Sequence, residues 1–251
     1  FQEHGTYGMN ALTVIVTMDP DKGWSHGIHP IPVATLEAQL KTALSTNVDA
    51  IKTGMLPTVE IIKAAAGAID RSGLEKVVID PVLVCKGEDE ALFPENVEAM
   101  VQTLLPRALV VTPNLFEAGQ LSGLGNLTTI DDMKRAAEKI HAAGAKNVVI
   151  KGGKQLKHEK AVDLFYNGST FTLLESEKTD TSYNHGAGCT FAAAITANLA
   201  NGLAVDESVL EAKKFVSAAI ANGWKLNEYV GPVMHGAKNR FGAPDITTSE
   251  I

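Results

Sequence analysis

Short β-branched runs alternate with amphipathic helical segments along this chain, and that alternation leaves little choice of fold. Leu12-Thr13-Val14-Ile15-Val16-Thr17 reads as a buried strand. Val77-Val78-Ile79, Leu109-Val110-Val111-Thr112 and Asn147-Val148-Val149-Ile150-Lys151 read the same way, with a shorter strand at 49–54. Helical periodicity covers 32–46, with Leu36, Leu40 and Leu44 on one face, and 58–72, where Thr58 is the cap and Gly73 the stop. It returns at 94–105, from about Asn114, and at 130–143 before Gly144. Such a pattern predicts an α/β fold: a mostly parallel central sheet, helices on both faces and right-handed crossovers. The rhythm breaks at 162–173, where Asn167-Gly168 divides two alternating strands and gives the sheet an antiparallel edge hairpin. Helices at 187–201 and 205–225 follow. With 251 residues, 45% of them hydrophobic, and no repeat or linker, residues 1–251 read as a single domain. Phe1-Gln2-Glu3-His4-Gly5 reads as the last turn of a helix closed by glycine, as if an earlier strand and turn stood before it.

The segment Asn184-His185-Gly186-Ala187-Gly188-Cys189-Thr190-Phe191 runs straight into an alanine-rich helix. Glycine lets backbone N–H groups approach an anion closely, and a helix start adds unpaired donors and the positive end of the macrodipole. Together they suit a phosphate or a developing oxyanion. A cysteine in that field is expected to have a lowered pKa and to be partly thiolate near neutral pH. An anion cradle with an embedded base points to phosphoryl transfer. The structural alternative is a tight turn followed by a small core residue.

Ligands of open α/β sheets bind beyond the carboxyl ends of the strands. Here those ends carry Asp80-Pro81-Val82-Leu83-Val84-Cys85, Thr112-Pro113-Asn114-Leu115-Phe116-Glu117 and Lys151-Gly152-Gly153-Lys154. Asp80 and Glu117 are candidates to hold Mg²⁺, and Lys151 and Asn114 to meet phosphate oxygens. Taken singly, Asp80 or Asn114 also reads as a cap, Glu117 as a solvated helix residue and Gly152-Gly153 as a turn. Their convergence on one rim favours the functional reading.

Other classes are disfavoured. A net charge of −7 argues against a nucleic-acid or anionic-membrane surface. The two cysteines lie far apart, which argues against a disulfide framework and fits a reducing cytoplasm. No apolar run reaches spanning length. Gly-x-x-x-x-Gly-Lys-Ser/Thr is absent, as are Gly-x-Gly-x-x-Gly after the first strand and a His-Glu-x-x-His helix. His26 and His29, near Trp24, read as exposed loop histidines rather than a substrate loop.

Lys52-Thr53-Gly54-Met55, Asp80-Pro81-Val82, Thr112-Pro113-Asn114 with Glu117, Lys151-Gly152-Gly153 and Gly186-Ala187-Gly188-Cys189 together resemble the ribokinase-like superfamily. The likeness is to its vitamin-kinase branch of hydroxymethylpyrimidine (phosphate) kinases and pyridoxal kinases. It covers essentially the whole chain and is nearest to the dual-cysteine pyridoxal kinases. The resemblance implies ATP along Asn114, Lys151, Gly152, Gly153, Lys154, Gln155 and Gly188, with Asp163 near the nucleotide, and Mg²⁺ near Asp80 and Glu117. It places Cys189 where most of the superfamily has an aspartate base, with Gly186, Ala187 and Gly188 stabilising the transferring phosphoryl group.

Hydroxymethylpyrimidine kinases carry glutamine where this chain has Met18, so an apolar contact replaces an amide. Cys85 lies in the polar, glycine-containing segment Cys85-Lys86-Gly87-Glu88-Asp89-Glu90, which reads as a lid. A thiol adds reversibly to an aldehyde, so Cys85 is expected to capture pyridoxal, with Met55 and Val82 against the ring. The family also begins with a strand and a Gly-rich substrate segment that this sequence lacks. The implied activity is ATP-dependent phosphorylation of the primary alcohol of pyridoxal, by a homodimer if relatives are a guide. The alternatives are hydroxymethylpyrimidine (phosphate) kinase and a non-catalytic nucleotide- or vitamer-binding protein.

Overall fold

The computed structural model describes residues 1–83 and 94–251. It holds a seven-stranded sheet and a separate two-stranded ribbon. The sheet contains β3 (Ile51–Thr53), β4 (Val77–Ile79), β5 (Val110–Val111), β6 (Asn147–Gly153), β7 (Ala161–Tyr166), β8 (Phe171–Ser176) and β9 (Thr247–Glu250), in that spatial order. The pairings from β3 to β6 are parallel; those from β6 to β9 are antiparallel. The antiparallel part is thus wider than the expected hairpin, because β9 at the chain's end pairs outside β8.

Two apolar layers flank the sheet, and the strand alternation sorts side chains between them. Val77 and Ile79 face one layer with Val111, Val148 and Ile150; Val78 faces the other with Val110 and Val149. The first layer is filled by α1 (Val33–Ala43), α2 (Val59–Ser72), α3 (Pro94–Ala99), α4 (Leu115–Ser122) and α5 (Ile130–Ala142). The second is filled by α6 (Ala187–Ala200) and α7 (Val205–Ala221), with a short α8 (Ala237–Phe241) packing on α7. The caps read in the sequence are in place. Thr58 accepts from the Ile61 N–H, and Gly73 stops α2 with φ of 65°. The helix expected at 94–105 changes pitch after α3, passing through a π-turn (Met100–Leu104) and a 3₁₀ turn (Leu105–Arg107) that brings Pro106 to its end.

The segment expected to be a buried strand at 12–17 behaves differently. It contributes to β1 (Val14–Asp19), which pairs antiparallel with β2 (Ser25–Pro30) as a ribbon apart from the main sheet. Ile15 is 50% exposed and Val16 38%. A β-branched run favours extended backbone, but its burial depends on a layer packing over it. The ribbon also places His26 and His29 on a strand rather than in a loop, with His26 opposite Met18. Trp24 at its turn stacks on Tyr229, ring centroids 5.7 Å apart, and Thr13 at its base donates to the Met55 carbonyl at 2.7 Å. Asn167-Gly168 opens a four-residue loop in which Asn167 Oδ1 accepts from the Ser169 and Thr170 amides.

Candidate active site

The carboxyl ends of β3, β4, β5 and β6 meet around one buried carboxylate. Asp80, just past β4, is 1% exposed. Its Oδ1 accepts from Lys151 Nζ at 3.0 Å and from Thr112 Oγ1 at 3.2 Å. Lys52 Nζ, from β3, stands 3.9 Å from Oδ2. That second oxygen is buried with no hydrogen-bond partner among the described residues, as is the neighbouring Thr53 hydroxyl. Burial alone would push the Asp80 carboxyl upward, but the two ammonium groups and its hydrogen bonds outweigh that and hold it below the usual range. Burial likewise works against the Lys151 ammonium, and Asp80 and Glu117 reverse it, so Lys151 stays firmly charged.

Glu117 is positioned by a local motif. Asn114 caps α4: its Oδ1 accepts from the Glu117 N–H, while Glu117 Oε2 accepts from the Asn114 N–H, both at 2.8 Å. So the expectations of a cap at 114 and a functional carboxyl at 117 both describe one capping box. Glu117 is buried rather than solvated. Burial raises its pKa to about 7, with the Asp80 charge adding to the rise and Lys151 and the amides of Asn114 and Leu83 opposing it. Near neutral pH the cleft therefore carries two ammonium groups and one full carboxylate, a surplus that suits a polyanion.

The start of α6 closes this cluster. Gly186 adopts a left-handed conformation, φ 82°, and turns the chain into the helix. The Ala187 N–H is given to the Asn184 carbonyl at 3.1 Å, whereas the amides of Gly186, Gly188 and Cys189 have no backbone partner among the described residues. A Cβ on Gly188 would lie 3.2 Å from Lys151 Nζ, so glycine here lets the helix end approach that ammonium. The Cys189 side chain is exposed, opening on the same space, and interacts electrostatically with Asp80. The thiol is pushed up, not down: burial of the sulfur among protein atoms and the adjacent Asp80 charge exceed the pull of Lys52 and Lys151. The expectation of a resting thiolate is thereby overturned. The helix start supplies only a partial positive charge, and a full carboxylate sits closer.

The remaining predicted residues fall in several places. Lys151 is bonded through its backbone to Pro113, which brings Asn114 beside it. Gly152 lies at a bulge where β6 leaves β7's register; a Cβ there would stand 2.5 Å from the Val162 carbonyl. Gly153 continues the turn, Lys154 Nζ reaches the Thr181 carbonyl at 2.8 Å, and Gln155 is exposed. Asp163 is buried on β7, both oxygens engaged within the protein. Met55 and Val82 follow β3 and β4 and are half-buried, while Met18 sits on the ribbon. Cys85 lies outside the described residues. Lys52 and Thr112 belong to the cluster although no role was read for them. Both stand at or just past the carboxyl ends of strands, the signal that marked Asp80 and Lys151. A separate groove of about 780 Å³, lined by Glu37, Lys41 and Arg71 among others, contains none of these residues.

Because Glu117 has a raised pKa in the folded state, its contribution to stability is present below its ordinary pKa of 4.5 and is lost as pH rises through about 7. Glu117→Gln keeps a capping side chain and removes the buried charge. Its stability relative to the parent is expected to rise by about 2 kcal/mol between pH 5.5 and pH 8. Urea unfolding at the two pH values measures this, and a pH-independent difference would contradict the burial account.

The phosphomethylpyrimidine kinase family model matches residues 1–234. A putative pyridoxine kinase of Staphylococcus aureus is 59% identical over 251 residues, all of this chain and 91% of that protein. The pyridoxine kinase of Bacillus subtilis is 58% identical over 238 residues, 94% of this chain and 88% of that one. A hydroxymethylpyrimidine/phosphomethylpyrimidine kinase of the same organism is 39% identical over 241 residues, 96% and 88% of the two chains. Among solved structures, the Staphylococcus aureus pyridoxal kinase in complex with AMP-PCP and pyridoxal superposes with a TM-score of 0.94 at 56% identity, covering 100% of this chain and 90% of that one. With its sheet, its flanking helices and the cleft at the strand ends, the chain belongs to the phosphomethylpyrimidine kinase family and is a kinase of the ribokinase-like fold.

Proposed function

We propose that this chain transfers the γ-phosphoryl group of ATP to the primary alcohol of pyridoxal, giving pyridoxal 5′-phosphate. The observation that carries this reading is the meeting of the Cys189 thiol and the free α6 amides with the Asp80–Lys151 pair in one cleft. Support for the substrate comes from relatives named pyridoxine kinases at 58–59% identity, against 39% for a hydroxymethylpyrimidine kinase. Support for the nucleotide comes from a relative solved with AMP-PCP.

In this reading the polyphosphate lies along Lys151, Gly152, Gly153, Lys154 and Gln155, with Asn114 beside it and Asp163 behind. The amides of Gly188 and Cys189 and the Lys151 ammonium face the charge spread over the oxygens of the transferring group, so they position and stabilise it. Lys52 balances Asp80 from the acceptor side. Cys189 acts as its thiolate: it takes the alcohol proton as the oxygen attacks phosphorus and gives that proton up to solvent after turnover, while Asp80 stays ionised.

The donors also fit a hard cation. Asp80 Oδ2 is a buried oxygen lacking a partner among the described residues, and Glu117 is a buried carboxyl whose burial the Lys151 charge offsets only in part. Two carboxyl groups are few ligands for a cation on their own, so water and phosphate oxygens would complete a Mg²⁺ shell. Mg²⁺ would be held by Asp80 and Glu117 and would supply neutralisation of the phosphate charge.

Cys85 is proposed to bind the aldehyde as a hemithioacetal, its sulfur bonding to the carbonyl carbon and its proton moving to the carbonyl oxygen. Met18, Met55 and Val82 are proposed to contact the ring. No helix among the described residues is long and apolar enough to cross a membrane. We take the protein to work in the cytoplasm, as a homodimer, without nucleic-acid or membrane partners. Sedimentation velocity at micromolar concentration tests the dimer, and a single monomer boundary would remove it.

Two sets of assays test the chemistry. Cys189→Ser is expected to lower kcat for pyridoxal by about 10²–10⁴-fold with little change in the KM for ATP. Because the thiol is held high, kcat/KM of the parent rises with pH through the alkaline range, and Cys189→Asp moves that limb downward. Full activity of the serine variant would make Cys189 structural. Cys85→Ala should raise the KM for pyridoxal but leave pyridoxine, which lacks the aldehyde, unchanged; equal effects on both vitamers would exclude aldehyde capture. Faster turnover of hydroxymethylpyrimidine than of either vitamer would transfer the assignment to the thiamine branch.

A further inference from the structure

A buried ion pair lies behind the glycine loop, and the reaction as described makes no use of its lysine. Lys213 on α7 is 4% exposed and Asp163 on β7 is 5% exposed. Lys213 Nζ is 2.8 Å from Asp163 Oδ2 and 3.5 Å from the Ala161 carbonyl. The other carboxylate oxygen, Oδ1, accepts the Gly153 N–H at 3.2 Å. The pair sits in the layer where Ala212 and Val216 of α7 pack with Phe165 and Leu174 of the sheet.

A buried ion pair is a weak source of stability, because desolvation of both charges offsets their attraction, and apolar replacements are often as stable. What this pair does have is a fixed geometry. Lys151 pairs with Asp163 across β6 and β7, but Gly153 pairs with Val162, so one extra residue is inserted on β6 at Gly152. The bulge turns the chain out of the sheet one residue after Lys151, and Gly153 follows with φ of 51°. With the ladder broken there, the Gly153 amide is satisfied by Asp163 instead. The Asp163 carboxylate can rotate, and Lys213 takes its other oxygen.

We propose that Lys213 is a positioning residue for nucleotide binding: by fixing the Asp163 carboxylate it holds the Gly153 amide, and with it the turn that presents residues 151–155 to the phosphates. This rests on the reading of that turn as the nucleotide loop.

Three variants test it, with ADP affinity by calorimetry and Gly153 amide exchange as readouts. Lys213→Met strands a buried carboxylate and is expected to weaken ADP about tenfold, with the KM for pyridoxal unmoved. Lys213→Met with Asp163→Leu removes both charges; the protein stays folded, but the Gly153 amide exchanges faster and ADP binds about tenfold more weakly. Lys213→Met with Asp163→Asn restores an acceptor oxygen and recovers the affinity to within about threefold. Wild-type ADP affinity in the leucine double variant, with the parent binding ADP normally, would overturn the positioning role alone. Failure of the parent to bind ADP would overturn the nucleotide-loop reading and the proposal with it.

Discussion

A single buried carboxylate organises the functional end of this protein. Asp80 is almost fully removed from water, and a lone charge in that position is strongly disfavoured. It persists because Lys151 and Thr112 bond one oxygen and Lys52 faces the other. Those residues come from three strands besides its own position after β4. Holding the charge in place therefore also holds the parallel strands in register at their carboxyl ends, where the cleft opens. The same cluster sets the protonation of its neighbours: Asp80 helps to push Glu117 and Cys189 up and to keep Lys151 charged.

The resting site is thus unfinished in electrostatic terms. Two ammonium groups outnumber the ionised carboxylate near neutral pH, and among the described residues one carboxylate oxygen has no partner and the amides of Gly188 and Cys189 have no backbone acceptor. Each of these is costly or neutral for folding and favourable once a polyphosphate and a hard cation enter. Stability is supplied elsewhere, by the two apolar layers on either face of the sheet. This division lets a rigid scaffold carry a site whose charges are balanced only in the complex.

Parts of the machinery were recognisable before any fold was known because they are local. The Asn114 cap, the Thr58 cap, the Gly73 stop and the glycine turn ahead of α6 each depend on residues a few positions apart. The strand ends carrying Asp80, Asn114 and Lys151 were also apparent, since β-branched runs mark where each strand stops. Lys52 shared that signal but stands within a weaker, three-residue strand. The state of Cys189 was misjudged for a different reason. The local helix start argues for a lowered pKa, and the opposing carboxylate lies 109 positions away in sequence, numbering from Asp80 to Cys189.

Sequence by itself determined the types of most elements flanking the cleft, the sorting of Val77 and Ile79 from Val78 to opposite faces, and the chemical identity of the cleft, because these follow from periodicity and short-range geometry. Only the tertiary structure decided that β1 would stand in a half-exposed ribbon, that β9 would extend the antiparallel side, and that Asp163 would turn toward Lys213. The physical reason is the same in each case. Whether a strand is buried, or which partner a charge meets, depends on what packs against it, and those groups are brought together by folding rather than by proximity along the chain.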